Sequence, residues 1–502
     1  MENNISIVAF NVEDDNYVYD RYSNEFLKLD NDKFDELNAI IKKNIALPDW
    51  LQTAQNELNV LREYPIPQLS ISNTQKTKQK VLSKLSGKTN QLIFITTENC
   101  NLRCKYCIYS DSYNAIRKHN DSHNLTWEVA QKAIDIFLES SAESSYRYIS
   151  FYGGEALMNY EIIKKIVSYV NEKTSNMHFA ISTNLTLMTN DIADFFIKHR
   201  FRITVSLDGP DYIHDTYRLS INAKPTHDIV IKNLNKIREK DETYFIDFIS
   251  FNILIVPHDY GFDILDEYFN SPLFNGIPME AFKPLSLNVE ENTFSTKYNY
   301  ETFYKAYYQY TLKKFIEGHI NGITDFSTMK ISYQLHIGIY KQLYFREMNR
   351  LNEYDFYWPN GICILGSRSL FVSPDGAFYP CENLYDYDSL KIGDVDSTID
   401  SDTISGIINE YCDQTIKYCK NCWAYRFCAD CFVSAREDSK YSHKKKQMFC
   451  NSFKNNLLPA FQNYLWVLKK NPDAFKYLDK EGRDHIINDM RIDEVPNIKS
   501  MI

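Results

Sequence analysis

The stretch "LIFITTENCNLRCKYC", Leu92–Cys107, sets an apolar run directly ahead of three cysteines, Cys100, Cys104 and Cys107, in a C-x3-C-x2-C spacing. Leu92–Thr96 reads as a strand, and the loop after it is dense in thiols. Thiolates this close can wrap a compact soft site, either zinc or an iron–sulfur cluster. A structural zinc takes four ligands and needs a fourth from elsewhere in the chain. A four-iron cluster on three cysteines leaves one iron a ligand short, and an open iron can hold a small molecule and pass it an electron. On spacing alone, both readings and a third, three structural thiols, stand side by side.

Outward from that loop, strand-like runs alternate with helical periodicity. The strands are Leu92–Thr96, Tyr148–Tyr152, His178–Ser182, Ile203–Leu207 and Phe248–Val256. Val129, Ala133, Ile136 and Phe137 share one helical face behind a Thr126 cap, and Ile162, Ile166, Val167 and Val170 share another. Such alternation predicts an α/β fold with a parallel sheet, open or closed into a barrel. The three cysteines follow the first strand, "GGEA" (Gly153–Ala156) the second and "STN" (Ser182–Asn184) the third, while "SLDGP" (Ser206–Pro210) ends the fourth. Parallel barrels build their sites at that end from several loops, so the four stretches are expected to converge.

The bulk numbers bound the rest. A chain of 502 residues, 44% apolar, can bury two or three domains. A net charge of -10 argues against nucleic acid as a partner. No apolar run reaches membrane-spanning length and the N-terminus lacks a secretory h-region, which reads as a cytoplasmic protein with no membrane partner. In a reducing compartment, eleven cysteines gathered near residue 100 and between Cys363 and Cys450 point to metal or iron–sulfur ligation rather than disulfides.

The motifs "CNLRCKYC", "GGEA", "STN" and "SLDGP…HDTYR" together resemble the radical S-adenosylmethionine (SAM) family, over most of residues 90–455. Ala156 stands where that family usually has proline. The resemblance implies a partial (β/α)6 TIM-like barrel over residues 90–335. Cys100, Cys104 and Cys107 would hold a 4Fe-4S cluster whose open iron chelates S-adenosylmethionine. Tyr106 is the family's aromatic before the last cysteine. Gly153 and Gly154 would let the backbone approach the cofactor's amino group, which Glu155 would accept. Asn184 and Ser182 would face the ribose, and Ser206 and Arg218 the carboxylate.

A second cysteine field contains "CKNCWAYRFCADC", Cys419–Cys431. With Cys363, Cys381 and Cys450 it resembles the SPASM extension of peptide-modifying radical enzymes, here over residues 360–455. That resemblance implies two further 4Fe-4S clusters, three in all. Cys419, Cys422, Cys428 and Cys450 would hold the outer one, and Cys363, Cys381 and Cys431 the inner. Only Ala429 and Asp430 precede Cys431, where the family usually has three residues. Cys412 either completes the inner cluster, leaves it an open iron for a substrate thiolate, or is a buried free thiol. Trp423, Tyr425 and Phe427 are expected to keep the clusters dry.

Residues 1–70 form their own unit. Ile5–Phe10, Tyr17–Tyr19 and Phe26–Leu29 are strand-like. A helix opening at Asp30 or Asn31 aligns Phe34, Leu37 and Ile41, and a second aligns Leu51, Ala54, Leu58 and Leu61. The pattern resembles the winged-helix-like leader-peptide recognition module of ribosomal-peptide maturases, which implies β-augmentation by a precursor's leader. A domain that only buttresses the barrel is the other reading. Residues 71–89 read as a linker and 456–502 as a helical tail. The resulting expectation is a radical maturase that installs an intrapeptide crosslink, chiefly a cysteine thioether to carbon, in a leader-bearing precursor. A flavodoxin- or ferredoxin-type protein would supply electrons. The alternatives are an anaerobic sulfatase-type maturase that forms formylglycine, and a non-catalytic iron–sulfur or zinc protein. No residue stands out as the general base.

Overall fold

Short strands joined by tight polar turns open the chain in the computed structural model, which describes residues 6–21, 23–43, 45–60, 74–110, 117–287, 299–346, 363–385, 387–428, 430–437 and 440–481. Strands β1 (Ile7–Val12), β2 (Asp15–Asp20) and β3 (Glu25–Leu29) pair antiparallel in that order. Helices α1 (Asn31–Lys43) and α2 (Asp49–Val60) follow, and Leu37, Ile40 and Leu51 bury one sheet face together with Ile7 and Val18. Ile5 and Leu61, and residues 61–73 generally, lie outside the described residues.

The stretch expected to be a linker contains helix α3 (Thr74–Leu85). Thr77 and Val81 are fully buried and Leu85 is partly so. A residue every fourth position gives even this lysine-rich segment one stripe to bury.

Six strands then lie side by side, each parallel to the last: β4 (Gln91–Thr97), β5 (Tyr148–Gly153), β6 (His178–Thr183), β7 (Arg202–Ser206), β8 (Ile249–Leu254) and β9 (Phe282–Leu285). Between them fall α4 (Trp127–Ser140), α5 (Tyr160–Lys173), α6 (Asn190–Lys198), α7 (Asp211–Tyr217), α8 (His227–Lys240), α9 (Glu242–Phe248) and α10 (Ile264–Phe269). Thr126 caps α4 by accepting the Val129 N–H, as expected. Side chains alternate along each strand. Leu92, Phe94, Ile149, Phe151, Ile181, Ile203 and Val205 are buried in one apolar core with the helices. The opposite face carries Ser150, Ser182, Thr204, Ser206, Asn252 and Lys283, in register across neighbouring strands. The α/β reading with a mainly parallel sheet therefore holds, but the sequence missed β9. Pro284 lies inside it, and proline is tolerated there because β9 is the sheet edge.

After α11 (Tyr300–Ile320) and α12 (Lys330–Tyr344) the chain returns to the same sheet. Strand β10 (Ser369–Val372) pairs parallel with β4, with Ser369 opposite Gln91 and Val372 opposite Phe94. Strands β11 (Ala377–Tyr379), β12 (Gly393–Asp394) and β13 (Thr398–Ile399) extend it antiparallel. The first part of the cysteine-rich region is thus continuous with the central sheet. Helix α13 (Ser401–Cys419) packs against α3, and the short hairpin of β14 (Arg436–Glu437) and β15 (Lys440–Tyr441) leads into α14 (His443–Lys470). The tail helix therefore starts inside the cysteine-rich region and carries Cys450; residues 482–502 lie outside the described residues. Phe461 of α14 receives Tyr19, Phe26 and Phe427 at ring separations of 4.9, 5.0 and 5.2 Å. The N-terminal sheet is therefore held between α1 and α14. Among the described residues no helix is long and apolar enough to cross a membrane.

Candidate active site

The three-cysteine loop begins where β4 ends, and its backbone is laced to the segment after α7. Arg103 N–H donates to the Leu219 carbonyl at 2.8 Å and Lys105 N–H to that of Tyr217 at 2.9 Å. Cys100 Sγ accepts the Leu102 N–H at 3.3 Å. The three thiols lie within one another's electrostatic reach. Burial pushes Cys100 and Cys104 up to about 12, with the Arg218 guanidinium opposing the rise at Cys104. Buried thiols in this state become ligands when a bound metal displaces their protons.

Gly153 and Gly154 are required by close packing against this loop. Gly153 has φ +147°, and a Cβ there would stand 2.3 Å from the Thr97 carbonyl oxygen. A Cβ on Gly154 would stand 2.2 Å from that of Asn99. The N–H groups of Gly154 and Glu155 donate to those same carbonyls at 2.9 Å each. The glycines hold β5 against the cysteine loop, a role the sequence reading had not seen.

Glu155 is 2% exposed, and its carboxylate turns toward the end of β6. It accepts from Thr183 Oγ1 at 2.6 Å, the Asn184 N–H at 2.7 Å and the Leu157 N–H at 3.1 Å. Burial raises its pKa and these donors oppose the rise. Asn184 Nδ2 donates to Asn101 Oδ1 at 3.0 Å and lies 3.9 Å from Cys100 Sγ. Ser182 and Ser206 are half-buried on the polar sheet face, paired in register with Thr204 and Asn252.

Tyr106 and Arg218 meet at a buried acid that the sequence reading quoted without assigning a role, Asp208 of the "SLDGP" stretch. The Tyr106 hydroxyl donates to Asp208 Oδ2, and Arg218 Nη1 donates to the Tyr106 oxygen at 3.0 Å. Arg218 Nε sits 3.8 Å from Asp208 and makes no hydrogen bond among the described residues. Burial raises the Asp208 pKa against the pull of Arg218 and Tyr106. The structure so gathers Cys100, Cys104, Cys107, Tyr106, Gly153, Gly154, Glu155, Asn184 and Arg218 at one end of the parallel strands. A cationic fork with an unpaired donor beside three thiols fits a bound carboxylate.

Two further groups escaped the sequence. Lys283 stands on the polar sheet face opposite Asn252, and burial, aided by Arg202, pulls its pKa down to about 8. Glu98, two positions ahead of Cys100, accepts from the Tyr385 hydroxyl at 2.9 Å and pairs with His123 at 2.8 Å. Only spatial proximity links Tyr385 to Glu98, so no local pattern announces the pair.

The second cysteine field divides by proximity. Cys419, Cys422 and Cys450 all act on Cys428, which burial pushes up to about 12. Cys363 and Cys431 act on Cys381, likewise pushed up to about 12 by burial. Cys412 is 2% exposed in the apolar core on α13. Tyr425 and Phe427 are buried, and Trp423 and Phe427 both pack on Phe461.

Residues 94–265 match the model of the radical SAM superfamily. A cysteine-type anaerobic sulfatase-maturating enzyme of Clostridium novyi (strain NT) is 26% identical over 396 residues, 76% of this chain and 97% of that protein. The radical SAM cyclopropyl synthase TigE of Paramaledivibacter caminithermalis is 26% identical over 259 residues, 50% of this chain and 49% of its own length. The solved structure of native anSMEcpe with bound AdoMet and Cp18Cys peptide matches with a TM-score of 0.54 at 19% identity, over 78% of this chain and 99% of that one. At that identity the likeness is one of fold.

Proposed function

This chain carries a radical SAM domain and is an enzyme of that superfamily, and from that premise we propose that it is a peptide maturase. The observation that carries the reading is the meeting of the thiols of Cys100, Cys104 and Cys107 with the Gly153–Glu155 stretch and the Arg218 fork at one strand end. Cys100, Cys104 and Cys107 would hold a 4Fe-4S cluster, which with S-adenosylmethionine supplies a radical able to take hydrogen from an unactivated carbon. Arg218 would orient the cofactor's carboxylate through its fork, and Asp208 and Tyr106 hold that fork in place. Glu155 keeps acceptor capacity beyond its three donors for the ammonium, and Asn184, Ser182 and Ser206 offer polar atoms nearby.

The barrel of residues 90–335 would receive a peptide against the polar face that bears Ser150, Thr204, Asn252 and Lys283. Residues 1–70 would recognise its leader at β3, the edge of the N-terminal sheet away from β1. The sets Cys419, Cys422, Cys428, Cys450 and Cys363, Cys381, Cys431 would hold two auxiliary 4Fe-4S clusters in a SPASM-type region over 360–455, with a flavodoxin- or ferredoxin-type donor. The product favoured by the N-terminal sheet is an intrapeptide crosslink, a cysteine thioether to carbon first. Formylglycine formation is the second reading, favoured by an alignment, 26% identical, that spans 97% of the sulfatase-maturating relative.

Anaerobically reconstituted enzyme with dithionite and S-adenosylmethionine decides between them. It is offered a leader-bearing cysteine peptide and a short sulfatase-type cysteine peptide, and the products are weighed by mass spectrometry. Loss of two hydrogens from the first supports the crosslink. Conversion of thiol to aldehyde in the second supports formylglycine. Absence of 5′-deoxyadenosine in both would defeat the enzyme assignment.

A further inference from the structure

Lys446 is an amine almost wholly removed from water, in a region where charge is costly. Its side chain is 1% exposed, and its Nζ pairs with Asp430, whose side chain is 0% exposed. Lys446 also donates to the Tyr411 hydroxyl at 3.0 Å, and Tyr411 donates to Asp430 Oδ2 at 2.9 Å. Asp430 Oδ1 takes the Ser434 hydroxyl and, at 2.9 Å, the Cys431 N–H. The carboxylate's charge is therefore spread over four donors. Lys446 lies one helical turn before Cys450 on α14, and the aromatic rings of Tyr411 and Phe449 flank its amine at 5.4 and 5.9 Å.

The pair is placed asymmetrically: Lys446 stands one turn from Cys450 on α14 and is the largest charge acting on Cys428 and Cys450, while Asp430 turns its Oδ1 to the N–H of Cys431, one of the inner cysteines. A buried ion pair is a poor device for merely anchoring a helix, because well-packed apolar side chains serve as well or better. Its position beside Cys428 and Cys450 points to another use. A cluster held by four thiolates is anionic, and its potential follows the charges and hydrogen bonds around it.

We propose that Lys446, oriented by Asp430 and Tyr411, is a fixed cation that makes the site of Cys419, Cys422, Cys428 and Cys450 the more easily reduced of the two auxiliary sites. The inference rests on the 4Fe-4S reading of those cysteines.

The test is a redox titration followed by electron paramagnetic resonance on the full, anaerobically reconstituted chain, with iron content measured alongside. The outer signal is identified as the one altered by Cys450→Ser. Lys446→Met is expected to move that signal to lower potential, Lys446→Arg to leave it near wild type, and Asp430→Asn to move it upward. A Lys446→Met enzyme with wild-type iron and an unmoved potential overturns the proposal. Where Lys446→Met loses iron, Asp430→Asn decides, and an unmoved outer signal there also overturns it. Wild-type iron sufficient only for the Cys100 site would instead defeat the cluster reading beneath it, an outcome told apart by the iron count.

Discussion

Arg21 Nη1 donates to the Lys420 carbonyl at 2.8 Å, which fastens the N-terminal sheet to the turn between Cys419 and Cys422. Arg426 Nε returns the contact by donating to the Arg21 carbonyl at 2.6 Å. Arg21 is 4% exposed, so its removal takes a part-buried donor from the Lys420 carbonyl. Arg21→Ala is expected to destabilise the protein by about 1–3 kcal/mol. The checks are thermal melting and the rate at which a chelator strips iron, faster in the variant. Deleting residues 1–60 would bare Phe427 and Phe461 as well, so a point substitution is the cleaner probe of the module.

The glycines after β5 give a sharper contrast. Gly154→Ala places a methyl 2.2 Å from the Asn99 carbonyl oxygen, backbone against backbone. The β5 end must then withdraw from the cysteine loop, and a destabilisation of about 3 kcal/mol or more is expected. Release of 5′-deoxyadenosine should fall with it. Gly338 is the control: it lies inside α12, and nothing stands within 4 Å of a Cβ there. Gly338→Ala should stabilise by about 0.5–1 kcal/mol with unchanged activity, because helix glycine is entropically unfavourable.

Tyr106→Phe removes the hydroxyl that links Asp208 to Arg218. The buried carboxylate keeps its ion-pair neighbour and the Leu254 N–H at 3.1 Å, but loses its phenol donor. A loss of about 1–3 kcal/mol is expected. The KM for S-adenosylmethionine should rise more than kcat falls, because the fork loses its orientation. Equal effects on both would argue against that role.

Lys283 yields a pH dependence of definite sign. Its pKa falls from the ordinary 10.5 to about 8 in the folded chain, chiefly through burial. Between those values the unfolded chain binds more protons, so this lysine makes stability rise with pH across that window. Below it, both states are charged and the folded one bears the full penalty. Lys283→Met should therefore raise the melting temperature at pH 7, corresponding to about 1–3 kcal/mol, with the gain fading toward pH 10. A gain independent of pH would contradict the assignment.

Much of the site was legible because its parts follow strands in order. Residues within one motif, such as Cys100 to Cys107 or Gly153 to Glu155, advertise themselves by spacing. Asp208 lay inside a quoted motif, yet its partner Arg218 becomes visible as such only once α7 folds back. The strand at Phe282 was hidden by Pro284, and that at Ser369 by having only four residues. Tyr411, Asp430 and Lys446 come from a helix, a loop and another helix, so no local period joins them. The linker reading overlooked Val81 because one apolar stripe in about three turns of polar sequence is easily missed.

The placement of Ser369–Val372 beside Gln91–Phe94 has a practical corollary for anyone dividing the molecule. A fragment ending before residue 369 would uncover a flank of the strand that leads into the first cysteine loop. Its bared amides and carbonyls would be a ready template for other chains. The parallel-strand region and the cysteine-rich region share one sheet, and insolubility of such a fragment would reflect a cut through shared fabric.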